Sequence, residues 1–428
     1  MIKKIIVVFI TLFITVSSFA QINSTSVYSF FGIGDRNNSA TAEQLSMGGV
    51  GVALSEPHRL NLSNPAANAS LKYTNYSLAL VSKSIWAKQN ETSENSIATY
   101  ISYLAMGFNI GDKAGISFGL MPNTAVGFNL ISREYGMGED DVLSATRFRG
   151  EGGTSKVFLG FGYEVVKGLN IGVQGDYVFG KIKNSIVNQG NGSSLATKYE
   201  TISNLSGFNF EAGLQYKKEV KENVNILVGA NFILENDVRS KEKEYLYSVE
   251  LGGYGGARDT ILNNTNTAYF IQPLKSTVGI GFGRDNKWYA GVDYSFQNAL
   301  SFEGSVYKSD MVSYTNYSKL SLGGFYTPKF NSLLSYWNRI TYRAGIKYEN
   351  TGVMLDMDQD GLDYEPIDDY GISFGVGFPV GKQISNLNVG LEYGKRGNAK
   401  GKLVRENYFN FRLSISLNDK WFEKRQIY

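Results

Sequence analysis

The chain has 428 residues, no cysteine, one histidine, and 42 basic against 39 acidic side chains. This excludes disulfide scaffolds, zinc–thiolate and iron–sulfur sites, thiol nucleophiles and multi-histidine metal centres. Charged residues at 19% fall below the roughly 25% of soluble domains, whereas 48 glycines and 14% aromatics run high. Mean hydropathy of −0.19 is too low for a bundle of membrane helices. A chain polar on average yet rich in Gly and aromatics suits a transmembrane β-barrel, whose strands turn one face to lipid and one to water.

In chain order, Lys3 and Lys4 precede an apolar run from Ile5 to Val16 and the small residues Ser18 and Ala20. That is the pattern of a cleaved signal peptide over 1–20, and the run is too short for the roughly 20 residues of a spanning helix. No cysteine follows to carry a lipid. Without the two lysines, 40 basic residues face 39 acidic ones, a formal +1, with no basic face for a nucleic-acid partner. Residues 21–71 have a different texture, with Tyr28 to Asp35, Ala40 to Leu54 and Leu60 to Leu71 rich in aromatic and aliphatic side chains. A folded hatch inside the barrel is their natural place. His58, after Glu56-Pro57, is read as a polar residue of that plug, since a Ser–His–acid site needs its histidine beside a serine.

From Tyr73 onward apolar and polar residues alternate with period two. The last strand is the cleanest: Phe409, Phe411, Leu413, Ile415 and Leu417 on one face, Asn410, Arg412, Ser414, Ser416 and Asn418 on the other. Counting such segments predicts an all-β antiparallel barrel of about 14 strands over 72–418, within the even-numbered bacterial range, with a periplasmic tail at 419–428. Short connections at 111–113, 166–168, 217–223, 284–286 and 381–386 alternate with long polar ones at 84–96, 133–153, 184–203, 237–267, 301–313 and 351–369. Short periplasmic turns and long extracellular loops are the pattern of an outer-membrane barrel. A soluble sandwich or propeller does not explain it.

Within the third strand, 115–129, stands Met121-Pro122-Asn123. Proline removes a ladder hydrogen bond, so a bulge or gap is expected there. Asp176, Asp293, Arg339, Arg343, Lys347, Glu392 and Arg412 fall on the lumen-facing parity as a mixed-sign interior. Such charges either pair and hold the plug, or draw an anionic ligand inward. Asp356, Asp358 and Asp360 before Gly361 resemble the opening of a calcium loop. Ile367 replaces the required Glu and no helices flank it; Glu365, Asp368 or Asp369 could substitute in a non-EF geometry, which leaves a weak calcium candidate beside the preferred reading of an acidic surface loop without metal. Gly375 and Gly377 open no helix, exclude a dinucleotide fingerprint, and are expected to ease barrel curvature.

The stretch from Ala42 to Ala53, containing Gly48 and Gly49, followed by Asn64-Pro65-Ala66, resembles the N-terminal hatch signature of the FadL family. These are outer-membrane transporters of long-chain fatty acids and other hydrophobic compounds. The C-terminal half resembles a Bacteroidota branch of that family at Tyr348 to Gly352, Tyr370 to Gly375, Glu406 to Phe409 and Lys420 to Phe422. The resemblance implies 14 strands, a hatch in the lumen, and a third-strand kink through which ligand leaves sideways; Pro122 lies where that kink is expected.

The expected function is passive uptake of small hydrophobic compounds such as fatty acids, with no cofactor and no enzymatic activity. Phe30, Phe31, Met47, Leu60 and Leu62 would meet the ligand, and Met121, Pro122 and Asn123 would form the lateral gate. The alternative is a non-transporting accessory barrel in an outer-membrane machine for protein assembly or type IX secretion. On either reading the expected location is the Gram-negative outer membrane and the expected partners are outer-membrane lipid, with a hydrophobic small molecule on the first reading and other outer-membrane proteins on the second.

Overall fold

The structure is a computed structural model; it describes residues 26–89, 92–136, 141–250, 257–304, 311–332, 334–356, 363–381, 385–398 and 403–420. The signal segment and residues 421–428 lie outside these, as do Asp358 and Asp360.

Fourteen antiparallel strands close into a barrel. They are β1 (Thr74–Gln89), β2 (Thr92–Ile110), β3 (Ala114–Tyr135), β4 (Val142–Val166), β5 (Leu169–Gly190) and β6 (Leu195–Lys221). There follow β7 (Val224–Ile233 and Asn236–Glu250), β8 (Ala257–Gln272 and Lys275–Arg284), β9 (Trp288–Gln297 and Ser301–Glu303) and β10 (Val312–Tyr314 and Tyr317–Tyr326). The last are β11 (Thr341–Leu355), β12 (Glu365–Val380), β13 (Ser385–Arg396) and β14 (Arg405–Asp419). β14 closes on β1 from Arg405–Lys88 to Asp419–Thr74.

The period-two pattern becomes an inside and an outside. Along β14, Asn410, Arg412, Ser414, Ser416 and Asn418 are buried towards the lumen while Phe411 and Leu417 face outward. A belt of exposed apolar residues, including Phe118, Leu159, Val173, Phe210, Val228, Ile280, Tyr294, Leu322, Ile346, Phe374 and Leu391, surrounds the wall. That belt is the lipid face of an outer-membrane barrel.

The turns at 111–113, 167–168, 222–223 and 285–287 are short. The long connections differ from expectation. Most of 133–153, 184–203 and 237–267 is strand, so β4 and β6 run for 25 and 27 residues. About 9–11 residues cross a bilayer. Above the lipid the outer face meets water, and the inner face is packed only in part, around Leu205, Val238, Phe270 and Phe302, so apolar alternation fades although backbone pairing continues. β3 to β8 therefore rise as a tall wall on one side of the barrel.

Residues 26–71 hold little regular structure: a 3-10 turn at Val27–Phe30, a helical turn at Ala42–Leu45 and a 3-10 segment at Pro65–Ser70. Thr41 and Gln44 form a reciprocal capping box. This segment bonds to side chains or backbone on β3, β6, β7, β9, β12, β13 and β14, strands distributed round the whole circumference. It occupies the lumen, and Val50, Val52 and Ala66 have no exposed surface.

Candidate functional site

The lumen is shaped by the absence of side chains at particular strand positions. A Cβ on Gly323 or Gly345 would stand 2.1 Å from the backbone of Met47, and one on Gly229 would stand 2.3 Å from the Val52 carbonyl. Gly172 abuts the Ala66 backbone in the same way, and Gly213 abuts the Asn64 side chain. Gly375 faces Ser46 and Gly377 faces Arg343 and Asn388. These two glycines, expected to ease curvature, make room for lumen groups. Gly48 itself has φ +72° and sits against the Ile346 carbonyl, where a Cβ would be 2.5 Å away. Gly49 also has positive φ.

Polar groups then fix the segment. The Asp293 carboxylate accepts the N–H groups of Gly51 and Val52 at 2.7 and 2.9 Å. Asn64 donates to the carbonyls of Val52, Leu214 and Ala230 and accepts from Ala66 N–H. Pro65 opens the 3-10 segment. Glu43 accepts from Asn388 and Ser416. His58 is buried beside Phe330, and its Nε2 has no hydrogen-bond partner. Burial, with Arg59 adjacent, lowers its pKa to about 4.

Two ion networks lie on the lumen wall. Lys156 reaches Asp176 at 2.6 Å and Glu211 at 3.3 Å. In the second, Glu392 contacts Arg412 and, at 3.0 Å, Lys347; Asp369 meets Lys347 and Arg396; and Arg396 meets Asp35 of the segment at 2.8 Å. Asp176, Asp293, Lys347, Glu392 and Arg412 thus line the lumen, and Arg343 is buried against Asn388. Arg339 does not belong to this set. It lies in the turn Trp337–Arg339 before β11 begins and rests over the Tyr336 ring. Lys156, Glu211, Asp369 and Arg396 escaped the sequence reading, although each stands on the lumen parity of its strand.

The expected ligand-contacting residues are dispersed. Leu60 and Leu62 share one cluster with Tyr103, Met121 and Phe158; Met47 joins another with Leu227, Tyr289 and Phe325. Phe30 packs edge-on against Phe128, and Phe31 packs against the cluster of Tyr28, Leu355, Ile367 and Leu403. The cavities between them are small: one of about 150 Å³ lined by Arg36, Lys156, Glu211, Lys275 and Lys319, another of about 100 Å³ lined by Lys83, Asp369, Glu392 and Arg412, and a third, more apolar, of about 90 Å³ lined by Phe31, Ile33, Phe302 and Tyr314. Among the described residues no cluster of acidic or histidine side chains is arranged to hold a metal. Asp356 is buried.

The wall is interrupted at Met121-Pro122-Asn123. The β2–β3 ladder stops at Leu104–Leu120, and the β3–β4 register shifts between Pro122 and Thr124. Where β3 leaves β2, Asp35 and Arg36 pair with Ala125 and Thr124, and Asn37 N–H bonds to the Asn123 carbonyl. The segment supplies the ladder partner that β2 withholds.

This architecture, a 14-stranded barrel with a lumen-filling N-terminal segment, defines an outer-membrane barrel of the fold seen in FadL-type channels. A FadL homologue from Pseudomonas aeruginosa superposes with a TM-score of 0.58 at 13% identity, over 90% of this chain and 98% of that one. The Pseudomonas putida toluene transporter TodX gives 0.58 at 16%, over 89% and 98%. The Ralstonia pickettii toluene transporter TbuX gives 0.56 at 14%, over 89% and 98%. No curated protein sequence matches the chain. The BamG family model matches residues 1–428, and the chain belongs to the BamG family.

Proposed function

We propose that this protein is a sealed accessory barrel, a subunit of an outer-membrane machine for protein assembly or secretion rather than a conduit. The observation that carries this reading is the filling of the lumen. Small-molecule sites are mostly apolar and of roughly 300–1,000 Å³. Here the larger of the two charged cavities measures about 150 Å³, and the apolar hatch residues are spent on separate packed clusters. Glycines on the wall press against the hatch backbone, which suits a fixed plug. The tall wall of β3 to β8, standing outside the cell, offers a partner a rigid sheet rather than a loop.

Gentle purification from its own membrane tests this. Stoichiometric co-purification with other outer-membrane proteins, and no conductance in planar bilayers, is the expected result. A monomer carrying a fatty acid in its lumen would overturn it.

A second reading, passive uptake of small hydrophobic compounds, is favoured by the opened ladder beside Pro122. Ligand would then pass the hatch and leave between β2 and β3. Deleting Met121 to Asn123 should abolish uptake on this reading; unchanged uptake of every hydrophobic compound tried would end it.

A further inference from the structure

A second interruption of the wall lies in four consecutive strands at one level. β7 breaks between Ile233 and Asn236, β8 between Gln272 and Lys275, β9 between Gln297 and Ser301, and β10 between Tyr314 and Tyr317. Ladder pairing runs up to the lower edge at Lys275–Ile233, Lys275–Gln297 and Gln297–Tyr317. It resumes at the upper edge with Gln272–Asn236 and Ile271–Ser301. Leu274 and the residues 298–300 belong to no ladder, and Pro273 has no N–H to offer one. The strand halves below this seam are ten residues each, enough to cross the hydrocarbon, so the seam lies at the edge of the lipid, where its unpaired backbone groups meet water or lipid headgroups.

The two sides of the seam differ in chemistry. Outside it, Phe208, Phe210, Leu234, Leu274 and Phe296 are exposed to the lipid level. Directly behind it lies the 150 Å³ cavity, whose lining includes the edge residues Ile233, Gln272, Lys275, Gln297 and Tyr317. Gln297 links seam to cavity: its amide donates to the Pro273 carbonyl and accepts from Arg36. Among the described residues, Arg36, Lys275 and Lys319, all lining the cavity, have no carboxylate within ion-pair distance. Lys319 is only 7% exposed. Lys275 has the Tyr317 ring at 4.6 Å as its partner. The carboxylates here are committed elsewhere or stand back: Glu211 to Lys156, Asp293 to the hatch, with Glu349 the remaining acid.

We propose that the seam is a lipid-binding port. The anionic phosphate headgroup of a membrane phospholipid enters between the broken halves of β7 to β10 and sits among Arg36, Lys275 and Lys319, while its acyl chains stay outside against Leu234, Leu274 and the three phenylalanines. The headgroup oxygens accept from the unpaired cations and from seam N–H groups. The seam is on strands other than those at Pro122, although the cavity behind it also reaches Asn123 and Thr124 and Arg36 pairs with Thr124; the proposal holds for either reading of function.

The test uses the full mature chain, purified in a neutral detergent and incubated separately with dioleoylphosphatidylglycerol and dioleoylphosphatidylcholine, with native mass spectrometry of the retained adducts. Retention of one or two phosphatidylglycerol molecules, at least tenfold above phosphatidylcholine and resistant to millimolar inorganic phosphate, is expected. The Lys275→Gln/Lys319→Gln variant should lose that preference and Lys275→Arg should keep it. Heat-modifiable gel migration shows that each variant is folded, and the single Lys275→Gln variant is read in its place should the double fail to fold. Equal retention of both lipids, or a preference untouched in the Gln variants, overturns the proposal. Displacement by inorganic phosphate overturns its lipid part, because a free anion would then be the occupant.

Discussion

The Asp293 carboxylate accepts the backbone N–H of Gly51 at 2.7 Å, joining the middle of the N-terminal segment to a strand 242 residues later. The same oxygen takes the Val52 N–H at 2.9 Å. Charge-assisted bonds of this kind exceed neutral ones, and an orphaned buried donor costs about 1–3 kcal/mol. Asp293→Ala orphans two. The segment should become cleavable by protease near residues 50–60 while the barrel keeps its heat-modifiable migration. Protection equal to the unaltered protein would show that this anchor contributes nothing.

The glycine cradle gives a steric prediction. Gly345→Val would drive a side chain into the Met47 backbone, which ordinary rotamer adjustment cannot relieve because the obstructing atoms are main chain. Overpacking typically costs about 1–3 kcal/mol and more where backbone obstructs. The hatch should be displaced and the melting temperature should fall. Gly175→Ala is the control, since its Cβ meets nothing closer than Phe210 at 3.8 Å. Equal stability of the two variants would refute the cradle.

His58 makes docking of the segment pH-dependent. Burial first, then Arg59, lowers its pKa from the usual 6.5 to about 4. The released segment binds a proton at higher pH than the docked one does. The neutral-imidazole contribution is therefore complete above pH 6.5, is lost progressively between pH 6.5 and 4, and is flat below. The slope approaches about 1.4 kcal/mol per pH unit. Carboxylates titrate near the lower end too, so the readout is a difference: His58→Gln should lose protease protection less steeply than the unaltered protein across that window. Parallel profiles would assign the dependence to other groups.

What was readable in the chain was what lipid imposes. Phe409 to Leu417 alternate because one side of β14 meets hydrocarbon, and that rule counts strands well. It fails once the strand leaves the membrane. Residues 195–205 and 236–250 have no apolar side to display, so they read as loops although they pair along their length. The breaks in β7 to β10 were illegible for a related reason, since Leu234 and Leu274 keep the outer face apolar across them. Only Pro273 marks the level in the sequence. Gly345 and Gly375 could be seen as strand glycines, but which backbone they admit depends on contacts nearly 300 residues or more apart. Arg339 shows the converse error: alternation carried one turn too far, past the true start of β11.

Glu392 is the hub of the second ion network. It accepts from Arg412, Lys347, Tyr408 and Asn410, and Lys347 and Arg396 share Asp369, which passes the charge balance on to Asp35 in the hatch. Removing one partner of a buried pair leaves uncompensated charge, at a cost of about 3–5 kcal/mol, whereas replacing all partners by apolar groups is often neutral. Glu392→Ala strands two cations, and Lys347 and Arg396 then compete for Asp369. Arg412 is left without its carboxylate and the network should loosen, and conductance bursts should appear in planar bilayers, where the unaltered barrel is expected to be silent. Lys347→Met/Glu392→Leu/Arg412→Met removes the stranded charges together and should restore both silence and most of the stability. Bursts in the triple variant as frequent as in Glu392→Ala would mean that bulk and not charge pairing closes the lumen at this level, and that the hatch is held by its glycine cradle alone.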